Sequence, residues 1–137
     1  MSGERDPHQL QRHMAPQLRP ENFVYCSFPD FQLPAGMQPI CTFRETEGLT
    51  AIVERSQADR ARASYVYEAR LITLTVHSSL EAIGFLATVA TSLAKAGIPC
   101  NAVAAFHHDH LFIPSARADD ALSLLTLLSS NPCLASD

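Results

Sequence analysis

CTFRETEGLTAIV (41–53) and NAVAAFHHDHLFI (101–113) stand sixty positions apart and share one outline. Each has an apolar or β-branched run, a polar middle and a second such run, which is the pattern of a β-hairpin. In the first copy, residues 40–44 and 49–53 are the predicted strands, and Glu47-Gly48 is the turn signal. In the second, residues 100–106 lead out and residues 111–114 return. His108-Asp109 suits the tight turn, because His and Asp tolerate positive φ better than most residues. This turn would set His107 and His110 facing each other across the hairpin. The same offset lays Ala58-Asp59-Arg60-Ala61 on Ala118-Asp119-Asp120-Ala121, so each hairpin runs into a helix. The spacing predicts the first of these helices over 57–63 with Ser56 as N-cap. The second begins at Asp119 and Asp120, which suit a helix N-terminus, and continues through Ala121, Leu122, Leu125 and Leu128.

Outward from the hairpins, FVYCSF (23–28) reads as a strand, and the Pro-rich stretch 29–39 as a loop. YVYEARLITLTV (65–76) has strand propensity for twelve residues, long enough to bend and serve two neighbouring units. Ser78-Ser79-Leu80-Glu81 has the form of a capping box that opens a helix. Ala82, Ile83, Leu86, Val89, Ala90 and Leu93 form its apolar stripe, and Gly97 and Pro99 end it. At the N-terminus, Asp6-Pro7 starts a short helix carrying Leu10 and Met14, with Pro16 and Pro20 as its stop. The order is thus β-loop-β-β-α-β from residue 23 to 70 and β-α-β-β-α from 71 onward. Two units of this kind predict paired ferredoxin-like folds, the first short of its first helix and the second of its last strand. In the second sheet, period-two alternation places Ile98, Cys100, Ala102, Ala104, Phe106, Leu111 and Ile113 on one face. Val103, Ala105 and Phe112 share the other face with Asn101, His107 and His110. With helices on the first face, the second calls for a partner sheet or chain.

Composition narrows the class. The 137 residues are 47% hydrophobic and 18% charged, with a net charge of −4 and no Trp. That balance is too apolar for a disordered chain. The scattered Arg residues make no basic stripe for nucleic acid. No apolar run reaches the roughly 18 residues of a membrane span, and the polar, acidic start MSGERD is not that of a signal peptide. Cys26, Cys41, Cys100 and Cys133 include no C-x-x-C pair, which fits a reduced cytoplasmic protein better than a disulfide framework.

FRETEGLT (43–50), LTVHSSLEAIG (74–84) and AFHHDHLFIP (105–114) resemble the signature stretches of small stand-alone bacterial proteins made of two degenerate ACT domains in tandem. The resemblance runs over residues 10–128 and extends, more distantly, to the ACT modules of aspartate kinases and of eukaryotic arginine sensors. It implies an α+β fold of tandem ferredoxin-like, ACT-like βαββαβ units, with antiparallel sheets and helices packed on one face. The divisions are then an N-terminal unit over 1–69, a C-terminal ACT domain over 70–130 and a tail over 131–137, whose end is expected to fray. It further implies a non-catalytic regulatory or sensor protein that binds a small molecule, an amino acid above all, and acts as a homodimer. No cofactor, membrane or nucleic acid is implied.

The corner His77-Ser78-Ser79 carries the strongest functional reading. A helix N-terminus leaves amides unpaired and favours an anion such as a ligand carboxylate. The resemblance places the ligand at this strand-to-helix corner, on His77, Ser78, Ser79, Ala82 and Gly84. Ser78 and Glu81 serve equally as a purely structural cap. The corner supplies about 0.3–1 kcal/mol to an anion, or about 2 when partly buried. Millimolar to micromolar affinity takes about 4–8 kcal/mol, so further groups are required. Asn101 is one candidate. Arg44, Glu45 and Glu47 are others, Arg44 for a carboxylate and Glu47 for an amine, since ligands of tandem ACT assemblies often sit where units meet. Those three can also be the solvated end of a hairpin. His107-His108-Asp109-His110 has ligand types for a transition metal, at a spacing that converges poorly. It leaves a metal-dependent enzyme as one alternative and a ligand-free dimerisation module as another. No catalytic constellation, G-x-S-x-G elbow, G-x-G-x-x-G or Walker loop is present.

Overall fold

The computed structural model describes residues 3–130. The expected tail over 131–137 and Cys133 lie outside them. The elements in chain order are α1 (Pro7–Arg12), β1 (Pro16–Phe28), β2 (Cys41–Arg44), β3 (Leu49–Glu54), α2 (Arg55–Arg60), β4 (Val66–Leu74), α3 (Phe85–Lys95), β5 (Asn101–Ala104), β6 (Asp109–Pro114) and α4 (Ala118–Ser130). A 3-10 turn, Ser115–Arg117, joins β6 to α4.

The sixty-position offset holds to the residue in both hairpins. Cys41 pairs with Ile52 and Arg44 with Leu49, all antiparallel. Asn101 pairs with Phe112 and Ala104 with Asp109 in the same way. The turns match too: the Glu45 amide donates to the Gly48 carbonyl at 2.9 Å, and the Ala105 amide to the His108 carbonyl at 3.0 Å. The second turn is therefore built from residues 105–108, not around His108-Asp109. Asp109 already belongs to β6, and His110 faces Val103 rather than His107. Pairing to the end of the strand was the stronger demand, because it satisfies the backbone groups of Ala104 and Asp109.

The chain forms two compact units. One is contiguous, Glu21–Ala69; the other combines residues up to Pro20 with those from Arg70 onward. This grouping differs from the division into 1–69 and 70–130: the first twenty residues pack with the C-terminal stretch. The long strands β1 and β4 each contribute a segment to both units. The strand order is β2-β3-β1-β4 in the contiguous unit and β1-β4-β6-β5 in the other. Residues 16–20 of β1 thus supply the strand that the C-terminal stretch lacks. Pro16 and Pro20 lie inside β1 rather than stopping a helix, and α1 already ends at Arg12.

The discontinuous unit has the larger core. Ile72 and Leu74 of β4 and Leu111 and Ile113 of β6 present one sheet face. Leu10 and Met14, then Phe85, Val89 and Leu93 of α3, then Ala121, Leu125 and Leu128 of α4 cover it. The i, i+4, i+8 spacing of Phe85, Val89 and Leu93 sets a single buried stripe. The Gln11 amide nitrogen donates to the Leu128 carbonyl, and the Ser129 hydroxyl to the Arg12 carbonyl, tying α1 to α4. Asp6 caps α1 as its sequence predicts, accepting from the His8 amide. The α3 C-terminus closes in a Schellman motif, with bonds from Gly97 N to Ala94 O and from Ile98 N to Leu93 O. On the opposite sheet face Phe112 is only 2% exposed, so that residue needs no second chain to cover it.

The contiguous unit packs Val24, Cys26, Ala51 and Val53 against Ala58 of α2. Its helix starts at Arg55, with Glu54 in the cap position and no side-chain cap, so Ser56 lies in the first turn instead of before it. The ladder of β3 runs to Glu54, and the helix follows without a linker. No helix among the described residues is long and apolar enough to cross a membrane.

Candidate functional site

β4 ends at Leu74, and α3 begins only at Phe85. The intervening loop replaces the expected capping box. Ser78 does not cap a helix. The Ser79 hydroxyl instead accepts from the Glu81 amide at 3.1 Å, and the Ser79 carbonyl from the Ala82 amide at 3.0 Å, closing a local turn. Gly84 occupies the N-cap of α3 at φ 93, and no side chain caps this helix. A residue at that φ cannot be interior to a helix, so the helix must start after it. The sequence signal failed here because Ser79 served its own turn.

The loop is held from two sides. The Ser78 amide donates to the His107 carbonyl at 3.0 Å. Across its other edge, the Glu4 amide donates to the His77 carbonyl and the Ser79 amide to the Glu4 carbonyl, both at 2.9 Å. This leaves Ser78 and Ser79 buried. With Leu80, Ala82, Phe85, Leu86, Ala104, Ala105 and Asp109 they line a cavity of about 170 Å³.

Asp109 is the chemical centre of this cavity. It is 7% exposed, and burial pushes its carboxyl above the ordinary carboxylate value. The nearby His108 imidazole and a hydrogen bond with the Ser78 side chain partly offset that rise. The cavity thus holds a buried acid and the first-turn residues Phe85 and Leu86 of an uncapped helix, whose leading amides have no intrahelical partner. Sequence reasoning missed Asp109 as a site residue by assigning it to a turn. The offset held the signal: Asp109 is the counterpart of Leu49, a carboxylate where the other hairpin has a buried apolar residue.

Of the other expected site residues, Ser78, Ser79 and Ala82 line the cavity. His77 adjoins it in sequence, with its ring centroid 5.1 Å from that of His107. Its Nε2 is buried and has no hydrogen-bond partner. Gly84 lines a different groove, between α3 and α4. Asn101 begins β5 and is exposed, away from the cavity lining. Arg44, Glu45 and Glu47 belong to the contiguous unit and are all exposed. There the Arg44 guanidinium lies 4.9 Å from the centre of the Phe31 ring, and the Glu45 carboxylate accepts from the Thr50 hydroxyl.

His108 and His110 are committed locally. His108 Nδ1 donates to the Val76 carbonyl at 3.0 Å, and His110 Nδ1 lies 2.9 Å from the Thr73 hydroxyl. Burial, then His108 and Arg19, hold His110 below the usual imidazole value. Among the described residues no group of three or more His, Cys, Asp or Glu is arranged to hold a metal ion.

Two family profiles, both described as ACT domain, match the chain over residues 2–70 and 66–126. Among solved structures, the chain is similar to a protein of unknown function from Vibrio cholerae described as a possible transport protein. That match has 38% identity and a TM-score of 0.79, covering 89% of this chain and 94% of the other. The regulatory subunit of aspartate kinase from Thermus flavus matches at 11% identity with a TM-score of 0.62, over 82% of this chain and 95% of that one. A protein from Agrobacterium tumefaciens matches at 17% identity with a TM-score of 0.63, over 79% and 81%. No curated protein matches the chain. The two low-identity neighbours share the tandem ferredoxin-like architecture, which agrees with the fold expected from the sequence.

Proposed function

Because this chain belongs to the ACT domain family, we propose that it is a non-catalytic regulatory protein that binds a small amino acid in the Asp109 cavity. The observation that carries this reading is the pairing of a buried carboxylate with an uncapped helix N-terminus in one small space. A zwitterion complements both ends: its ammonium meets Asp109, and its carboxylate meets the first turn of α3.

Size and energy narrow the class. At about 170 Å³ the cavity is well below the few hundred Å³ of a drug-sized site. Leu80, Phe85, Leu86 and Ala104 leave room for a short, uncharged side chain. A charge-assisted bond to Asp109 contributes about 1.5–3 kcal/mol, the helix terminus about 1–2, and one buried methyl about 0.8. These reach about 4 kcal/mol or a little more, which is millimolar binding. Glycine, L-alanine and L-serine are therefore the first ligands to try. Isothermal calorimetry of each against the wild type and Asp109→Asn tests the reading. Millimolar binding that falls at least tenfold in the variant supports it. No response of the wild type to any amino acid would falsify it.

The reading includes a homodimer in the cytoplasm, without nucleic acid or membrane as partner. β2 and β5 end the strand orders of their units, and Phe43 within β2 and Phe106 just after β5 are 70% and 67% exposed. The net charge of −4 and the free thiols of Cys26, Cys41 and Cys100 agree with the rest.

A further inference from the structure

The loop between β4 and α3 forms one wall of the Asp109 cavity, yet it has no strand or helix of its own. Part of its support comes from the far N-terminus. Glu4 makes an isolated parallel bridge with Ser78, through the two backbone bonds to His77 and Ser79. Gly3 lies directly on the loop: a Cβ built there would meet the Ser79 amide nitrogen at 2.7 Å and the Ser78 carbonyl carbon at 3.0 Å. Its φ of +100 is also one that side chains disfavour. Arg5 reaches Glu81 of the same loop at 3.9 Å, an exposed pair that contributes little. Behind this contact the chain is anchored, since Asp6 caps α1 and Leu10 of that helix is in the core.

We propose that residues Gly3–Arg5 are a latch that holds the 77–82 loop in its ligand-competent form, so that latch closure and amino-acid binding are coupled. Glu4 does not line the cavity, and of the lining residues it engages only the Ser79 backbone amide, leaving Asp109 and the Ser78 and Ser79 hydroxyls untouched. It grips the outer edge of the loop, while Ser78 turns its hydroxyl inward to Asp109. The latch therefore does not compete with the ligand. It fixes the position of Ser78 and hence the orientation of the carboxylate that the ammonium must meet. With the latch open the loop samples other forms, and apparent affinity falls with the fraction of competent molecules. Coupling is reciprocal, so a bound ligand holds the latch shut. Anything that captured the N-terminal segment would lower ligand affinity without touching the cavity.

This rests on the amino-acid reading of the cavity, and the test separates the two. Gly3→Ala places a methyl group against the loop backbone and opens the latch. A chain beginning at Arg5 removes Gly3 and Glu4, and with them both backbone bonds to the loop, with no added bulk, keeping only the weak Arg5 pair. Calorimetry with glycine, L-alanine and L-serine is run on both variants and on the wild type, with thermal melting to confirm that each is folded. Amide exchange at Glu4 and Ser79 is followed with and without the tightest of the three. Affinity roughly tenfold weaker in both variants, together with ligand-slowed exchange at Ser79 in the wild type, supports the latch. Unchanged or tighter affinity in the folded variants overturns the latch and leaves the cavity reading standing. Absence of binding to the wild type overturns both.

Discussion

Asp109 takes the place that Leu49 takes in the other hairpin, and this one difference sets a buried carboxylate where the other hairpin has a buried apolar side chain. A buried carboxylate costs stability unless something compensates its charge. Its folded pKa lies above the ordinary value, so folding favours the protonated form. The cost is smallest below about pH 4 and grows as pH rises through the raised value. Asp109→Leu is therefore expected to raise stability at neutral pH by about 1 kcal/mol while abolishing ligand binding. The gain should shrink on acidification, as read by urea denaturation across pH. His110 behaves in the opposite sense. Its folded pKa is lowered, chiefly by burial. Its contribution is complete above about pH 6.5 and is lost as pH falls through the lowered value. His110→Gln should flatten that part of the stability profile. Equal pH slopes for variant and wild type would remove His110 as the cause.

At the scale of elements, the hairpins show which sequence signals were decisive. The offset matched the two hairpins position for position, and identical turn bonds follow from identical spacing, whereas the turn read at His108-Asp109 misplaced the register of the second hairpin. The helix starts were harder to read. Ser78-Ser79-Leu80-Glu81 has every letter of a capping box, but Gly84 lies five residues inside the expected helix, and the loop found its partners at Glu4 and His107. Such partners are distant in sequence, so no local window shows them. The same is true of the cavity: Ser78, Ser79 and Ala82 were readable at the corner, whereas Asp109 joins them only through the fold. Gly48 offers a test of the first hairpin. A Cβ there would meet the Phe28 carbonyl oxygen at 2.7 Å, a backbone atom that cannot swing aside. Gly48→Ala should cost at least about 2 kcal/mol. His108, its counterpart in the second hairpin, should accept Ala with a smaller loss, limited to its bond to Val76. Paired chemical denaturation curves decide this, and equal losses would contradict it.

For the whole molecule, the 47% hydrophobic composition goes with large apolar side chains left at the surface, Phe43 and Phe106 among them, which the proposed dimer would cover. Sedimentation equilibrium is expected to show a dimer. Phe43→Glu with Phe106→Glu should shift it toward monomer without unfolding the chain, and an unshifted dimer would place the interface elsewhere. The discontinuous unit also has a consequence in time. Its core joins Leu10 and Met14, which are made early in this order, to Leu125 and Leu128, which follow only after the whole contiguous unit. Gln11 and Leu128 bond across a separation of 117 positions. Closing so long a loop is entropically expensive and slow. On the ribosome the contiguous unit has all its residues early, while α1 must wait for α4 to emerge. The Asp109 cavity belongs to that discontinuous unit, so its walls come together only in a nascent chain that already carries β6 as well as the loop after β4.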